Sequence, residues 1–183
     1  MKKLLIASSA FALLSSPAFA QSSQDSQDFT VNGTVENECS IENPADVTLG
    51  EFAVITTPGA DALQYDDNKS DSQTFWMSCN YTTSIAVESD NLALVGDVAP
   101  TDSQFTNRLD YRLNFSTVTG TALTGLGSIP FGVLGNRTRT QASEFHANVQ
   151  MDVVVPKGEY SNASKRLVAG NYSDRVVITL GTL

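Results

Sequence analysis

The feature that most constrains the fold of this chain is a strict alternation of apolar and polar side chains. In the segment Phe145–Val155, Phe, Ala, Val, Met, Val and Val occupy every second position, and mostly polar residues stand between them before Pro156. Successive side chains of a strand point to opposite faces of a sheet, whereas a helix would mix the two sets on every face. This segment is therefore predicted to be a half-buried β-strand.

The same period of two recurs along the chain, and no segment shows the sustained apolar stripe of a helix. The clearest further segments are 75–81, 109–115 and 176–180, and shorter candidates are 29–35, 47–52, 84–88 and 92–95. Segments that hold turn and loop residues such as Gly, Pro, Asn and Asp separate them. Seven or eight short strands are therefore predicted.

The amino-terminal residues have the three-part order of a secretion signal. Lys2 and Lys3 precede an apolar run at residues 4–14, and an A-x-A arrangement ends at Ala20. Cleavage after Ala20 would leave a signal peptide at 1–20, a polar flexible tail at 21–28 and a single domain at 29–183. No stretch reaches the roughly 20 apolar residues of a membrane-spanning helix. The prediction is an exported protein that does not insert into a membrane.

Charge excludes one large class of partners. The chain has 20 Asp and Glu residues against 11 Lys and Arg, and its formal net charge is −9. Phosphate backbones repel such a surface, so we expect no nucleic acid partner. The hydrophobic share of 41% nevertheless supplies enough apolar side chains for a folded core.

The chain has two cysteines, Cys39 and Cys79. In an oxidising compartment only one pairing is possible, so a disulfide is predicted. A metal site built on the pair is the alternative, but no further Cys or His lies at ligand spacing. Together with the short strands, the disulfide in one exported domain favours an all-β, immunoglobulin-like antiparallel β-sandwich.

Catalytic groups are scarce. His146 is the only histidine, and it occupies the polar side of a predicted strand, as expected of an exposed surface residue. No G-x-S-x-G element surrounds a serine, and bridged cysteines are not nucleophiles. We therefore expect no catalytic residue, no enzyme activity and no cofactor.

An oxygen-rich loop could in principle bind a metal ion. It contains Asp66, Asp67, Asn68, Ser70 and Asp71, which are hard ligands of the kind calcium prefers. The EF-hand pattern is absent, because no glycine occupies the turn and no glutamate closes the loop. A solvated hairpin tip is the favoured interpretation, and no metal ligand is predicted.

The predicted last strand raises a question about the completeness of the sandwich. Only three residues follow the run 176–180, whereas an immunoglobulin-like half normally ends with two neighbouring strands. If a strand is missing, a groove between the sheets would expose core side chains beside an unpaired sheet edge. Such a groove would accept a strand from another chain.

Several segments, taken in order, resemble a known family. They are FTVNGTV, ENECSIENPADVTLGEF, SQTFWMSCNYTTSIAVES, RLDYRLNF and AGNYSDRVVITL. The whole mature chain is similar to pilin subunits of the archaic chaperone-usher type, the group related to spore coat protein U domains. The closing segment, with Gly170, Tyr172, Asp174 and the strand 176–180, carries the most specific part of the resemblance.

The resemblance implies a function and a set of partners. It implies that the final strand is lent first by a periplasmic pilus chaperone, and that a neighbouring pilin subunit then supplies it during assembly at an outer-membrane usher. It also implies passage through the periplasm to the cell surface or the extracellular space. The implied edge of the groove is the last strand, with Tyr172, Asp174, Val176, Ile178 and Leu180.

The donated segment has two interpretations. Phe29, Val31, Gly33 and Val35 lie on one face of an alternating segment and are the donor-strand candidates. Only ten residues separate Phe29 from Cys39, however, so FTVNGTV is alternatively the first strand of the domain itself. In that case the protein would be a secreted or pilus-tip binding module that recognises its ligand with loops such as 65–72.

Overall fold

The computed structural model describes residues 26–159 and 164–181, so the predicted signal peptide and residues 21–25 lie outside the described part. Two units are distinguished, Met1–Val35 and Glu36–Leu183. The described residues contain strands and no helix. In chain order the strands are β1 (Cys39–Ile41), β2 (Lys69–Cys79), β3 (Thr83–Ser89), β4 (Leu94–Gly96), β5 (Phe105–Thr106), β6 (Arg108–Leu109), β7 (Arg112–Gly120), β8 (Ser128–Pro130), β9 (Arg137–Gln141), β10 (Phe145–Val155), β11 (Arg166–Leu167), β12 (Tyr172–Ser173) and β13 (Val176–Gly181).

The largest sheet has five antiparallel strands in the order β1-β2-β10-β7-β8. Its centre is the pairing of β2 with β10, each 11 residues long, from Phe145 opposite Cys79 to Val155 opposite Lys69. Along both strands buried side chains alternate with more exposed ones, as the period of two requires.

A second antiparallel sheet has the order β13-β3-β9. Two smaller sheets complete the domain: β12-β4-β6 is antiparallel, and β5 and β11 form a parallel pair of two residues each. Inward side chains of β2, β7 and β10 belong to one hydrophobic cluster with Ile85 and Val87 of β3. Both larger sheets therefore contribute to a single core.

The all-β class, the antiparallel sheets and the Cys39–Cys79 disulfide are confirmed, and the arrangement is compatible with an immunoglobulin-like sandwich. The predicted strand Phe145–Val155 coincides with β10. Strand β9 was not predicted, because four of its five residues, RTRTQ, lie partly or fully in solvent and show no apolar alternation. Strand β8 was not predicted, because its three residues lie in a glycine- and proline-containing segment, LTGLGSIPFG, that is typical of a loop.

The predicted strand at residues 47–52 was wrong. Residues 47–52 form no strand, although Val47, Leu49 and Phe52 pack against the core. Gly50 has φ of 71°, which interrupts an extended backbone. The alternation in residues 47–52 therefore reflects burial of one side of the segment. It does not indicate that the segment pairs with a neighbouring strand.

The segment 29–35 also forms no strand, and the first strand of the domain is β1. In this structure FTVNGTV is therefore not the first strand of the domain, which was the alternative interpretation of this segment. The side chains of Phe29, Val31 and Val35 are 87%, 82% and 87% exposed. Their alternation is not explained by burial within the described chain.

The disulfide attaches a very short strand to the main sheet. Cys39 of β1 lies directly opposite Cys79 of β2, and β1 contributes only three residues to the ladder. Beyond β1, the amide of Glu42 donates to the carbonyl of Trp76 at 2.9 Å, and its carboxylate accepts from the amide of Trp76 at 3.1 Å. The bridge thus fixes the start of the segment that runs on through residues 43–54.

We predict that replacing both Cys39 and Cys79 with Ala lowers the free energy of unfolding by about 4 kcal/mol. The disulfide joins residues 40 positions apart, and the closed loop restricts the denatured chain. Guanidinium unfolding followed by tryptophan fluorescence measures the change. Dithiothreitol should destabilise the wild-type protein by a similar amount and leave the double variant unaffected. Equal stability of the oxidised and reduced wild-type proteins would contradict the prediction.

Candidate functional site

Strand β13 is an edge strand of the second sheet. Strand β13 pairs with β3, from Val176 opposite Ser89 to Gly181 opposite Ser84. Among the described residues no strand pairs with its other edge. An edge of this kind presents free amide and carbonyl groups at which a further strand can be added.

A groove lies beside this edge and reaches the core. It has a volume of about 820 Å³ and is bounded on one side by residues 174–178 and on the other by residues 41–47. Leu113 of β7 and Met151 and Val153 of β10 line it from the main sheet. These side chains belong to the hydrophobic core and form the floor of the groove.

A second cavity continues the groove. It has a volume of about 1230 Å³ and shares Val47, Leu49, Leu94 and Asp174 with the first. Aromatic and aliphatic side chains line much of it, including those of Phe52, Phe105, Leu167 and Tyr172. The two cavities, joined by their four shared lining residues, are together called the β13 groove.

Asp174 anchors the beginning of β13. One carboxylate oxygen accepts hydrogen bonds from the hydroxyls of Ser89 and Tyr111, the latter at 2.7 Å. The other accepts from the amide and side chain of Asn91, both at 3.1 Å, and from the amide of Arg175 at 2.9 Å. Burial, together with donation to this carboxylate, raises the pKa of Tyr111, so its hydroxyl remains a donor. Asp174 thereby ties β13 to the end of β3 and to a residue of the groove.

The residues before Asp174 are equally constrained. A Cβ on Gly170 would lie 2.4 Å from a carboxylate oxygen of Asp97, so a larger residue there would displace that carboxylate. Asn171 donates to that carboxylate from its amide at 3.0 Å and from its side chain at 2.9 Å, and these bonds lower the pKa of Asp97. The hydroxyl of Tyr172 donates to the carbonyl of Val168 at 2.7 Å. The AGNYSD segment is therefore a folded corner that delivers the chain to β13.

The structure brings together the predicted residues of the last strand. Val176, Ile178 and Leu180 lie on the inward face of β13, partly buried against the core, and Val176 and Ile178 line the groove. Tyr172 lies in β12, and Asp174 lies between β12 and β13. The donor candidates Phe29, Val31, Gly33 and Val35 lie in the preceding unit, and nothing comes within 4 Å of a Cβ built on Gly33.

Sequence reasoning missed most of the groove. The alternation identified Leu113, Met151 and Val153 as inward residues, but it does not show which inward residues line a groove. Of the lining segment 41–47, only residue 47 fell in a predicted strand, the one at 47–52, and residues 41–46 carried no signal. The arrangement depends on contacts between residues far apart in the chain, which local patterns do not reveal.

His146 and the carboxylates Asp66 and Asp67 do not line the β13 groove. His146 is exposed on the outer face of β10. Asp67 pairs with Lys69 at 3.1 Å, and Asp66 pairs with Lys157. In residues 26–159 and 164–181 no group of three or more His, Cys, Asp or Glu side chains is placed to hold a metal ion.

Comparison with models of protein families and with curated proteins gave no match to this chain. Within the described part of the chain, no helix is long and apolar enough to span a membrane.

We predict that Asp174→Ala lowers the free energy of unfolding by about 3 kcal/mol, because the hydroxyls of Ser89 and Tyr111 lose a charged acceptor in a partly buried position. Urea unfolding followed by circular dichroism measures the change.

Asp90→Ala is the matched control, since Asp90 is an exposed carboxylate 3.8 Å from Arg175. Its loss should cost less than about 1 kcal/mol. Equal effects of the two substitutions would show that Asp174 does not anchor β13.

Proposed function

We propose that this protein is a structural subunit of a bacterial surface pilus, assembled by donation of a strand from one subunit to the next. The observation that carries the proposal is the β13 groove, in which an unpaired strand edge lies beside a floor of core side chains. An inserted strand would satisfy both at once, through main-chain hydrogen bonds along β13 and through alternate side chains placed on the floor.

The occupant must be an extended segment with apolar residues at every second position. Phe29, Val31 and Val35 satisfy this pattern, and Gly33 adds a position without a side chain. Each large apolar side chain buried would contribute about 1.5 to 3 kcal/mol. In the proposal this segment of one subunit occupies the groove of the next.

Donation from one subunit to the next produces a fibre. The donor segment and the groove are different surfaces of one chain. A row of subunits therefore always has an unoccupied groove at one end and an unused donor segment at the other. An assembly of this kind grows in one direction and does not close by a two-fold axis. Its strength depends on how completely the donated side chains fill the groove.

The unfilled groove requires protection before assembly. A subunit with an unpaired strand edge beside an apolar groove is prone to aggregation. A periplasmic chaperone that lends a strand, followed by exchange at an outer-membrane usher, meets this need. The predicted secretion signal is consistent with that route to the cell surface.

The loop-borne binding function has less support. Of the loop 65–72, Tyr65 is buried and donates to the carbonyl of Val155 at 3.0 Å, while Lys69 to Ser72 belong to β2. Most of the segment is therefore part of the sheet framework. The proposed function involves no catalytic step.

We predict that mature wild-type protein forms long oligomers and that Val31→Asp is monomeric, as measured by size-exclusion chromatography with light scattering. Val31 is exposed in the unassembled chain, so the substitution should not affect folding. It would place a charge on the groove floor and weaken strand binding at least about a hundredfold, or about 2.8 kcal/mol.

Asn32→Asp is the matched control, because it adds the same charge on the opposite face of the segment. It should still form oligomers. A peptide of residues 28–36 should bind the Val31→Asp monomer, and a scrambled peptide should not. Identical behaviour of the two variants would refute donation by this segment.

A further inference from the structure

The donor segment carries acidic residues on both sides and no basic ones. Asp28 precedes the segment 29–35, and Glu36 and Glu38 follow it, with all three residues exposed. Residues 4–68 contain no lysine and no arginine. A strand donated from this part of the chain therefore carries these three negative charges to the neighbouring subunit and no positive charge.

The two carboxylates that follow the donor segment are held close to the folded domain. The side-chain amide of Asn80 donates to the carbonyl of Glu36 at 2.8 Å, and its oxygen accepts from the amide of Glu38 at 2.8 Å. The chain is therefore fixed from the residue that directly follows Val35. A neighbour that receives the segment 29–35 must come close to both carboxylates, because Glu36 adjoins the segment and Glu38 lies two residues further on.

The groove that would receive the segment is acidic as well. Its lining includes five carboxylates, all but the last of them exposed: Glu42, Asp46, Glu51, Asp102 and Asp174. Among the described residues that line it, Arg175 is the only basic side chain, and it lies 3.8 Å from the carboxylate of Asp90. The donor segment and the groove therefore carry charge of the same sign.

The sign of the interaction does not depend on how the strand enters. Acidic residues flank both ends of the donor segment, so repulsion results whether it lies parallel or antiparallel to β13. Arg108, Lys165 and Arg166 lie close in sequence to lining residues, but the domain as a whole has more Asp and Glu than Lys and Arg. Screening by salt sets the range of the repulsion, which is about 30 Å at 0.01 M and about 10 Å at 0.1 M. At low salt the repulsion therefore extends beyond the roughly 23 Å length of a seven-residue strand.

We propose that like charge gates donation between copies of this chain at the β13 groove. It holds subunits apart at low ionic strength and allows them to join as salt screens the charge. This inference rests on the proposed function, because it concerns the same donor segment and the same groove. The apolar side chains of the donor supply the affinity, and the charges around them determine the salt concentration at which subunits assemble.

Three peptides of residues 26–38 with the same apolar positions separate the effect of charge from that of apolar burial. One has the native sequence, one carries Asp28→Asn, Glu36→Gln and Glu38→Gln, and one carries Asp28→Lys, Glu36→Lys and Glu38→Lys. Calorimetry with the mature Val31→Asp subunit measures the affinity of each peptide at about 0.01 M and about 0.3 M sodium chloride. From low to high salt, the native peptide should bind about tenfold more tightly, the lysine peptide about tenfold more weakly, and the neutral peptide with little change.

The outcome distinguishes this inference from the proposed function. Equal affinities of the three peptides at low salt, or weaker binding of the native peptide at high salt, would overturn the electrostatic gate and leave donation of the segment intact. Binding of none of the three peptides at either salt concentration would contradict donation itself, and the gate with it.

Substitutions in the subunit locate the charges that oppose binding. In the Val31→Asp background at about 0.1 M salt, Asp46→Lys should strengthen binding of the native peptide about threefold and weaken binding of the lysine peptide by a similar factor. Glu144→Lys makes the same change in charge at an exposed residue that lines neither cavity of the groove, and it should affect both peptides less. Thermal unfolding checks that both variants are folded, and Glu51→Lys repeats the test in the second cavity if Asp46→Lys is not. Equal effects of Asp46→Lys and Glu144→Lys would show that the charges of the groove do not set the affinity.

Discussion

The structure depends on the pairing of β2 with β10. The two strands pair over 11 residues each, and the register from Phe145 opposite Cys79 determines which side chains face the core. A slip of one residue would exchange the two faces, moving Trp76 inward and Phe75 outward. The inward face of this ladder supplies Met151 and Val153 to the β13 groove, and its outward face carries the stack of Trp76 on His146, so a single register positions both.

The β13 groove combines an unpaired strand edge with an apolar lining. Residues 41–47 and 174–178 both line it, and residues 42–47 form no strand. The segment before β13 is held by the hydrogen bonds of Asp174 and Asn171. An edge that is already ordered beside apolar side chains is prepared for a strand, since little further ordering is required when one binds.

Local patterns predicted the parts of this molecule in which one face of a strand is buried. Strand β10 was predicted with its observed bounds, and Val176, Ile178 and Leu180 were assigned to one face of the last strand, which is the face that packs against the core. Strand β9 escaped because exposed edge strands have little apolar alternation. Residues 47–52 alternate without pairing, because burial of one side requires no ladder. The groove floor and the stack of Trp76 on His146 depend on long-range register, which no local pattern encodes.

The central claim is that β13 accepts a further strand along its outer edge. Hydrogen exchange of backbone amides in the Val31→Asp subunit, followed by NMR with and without the peptide of residues 28–36, tests it most directly. The account predicts that the β13 amides not bonded to β3 exchange rapidly alone and at least about tenfold more slowly with peptide, while amides at the centre of β2 and β10 are already protected. Unchanged exchange along β13 at a saturating peptide concentration would contradict it.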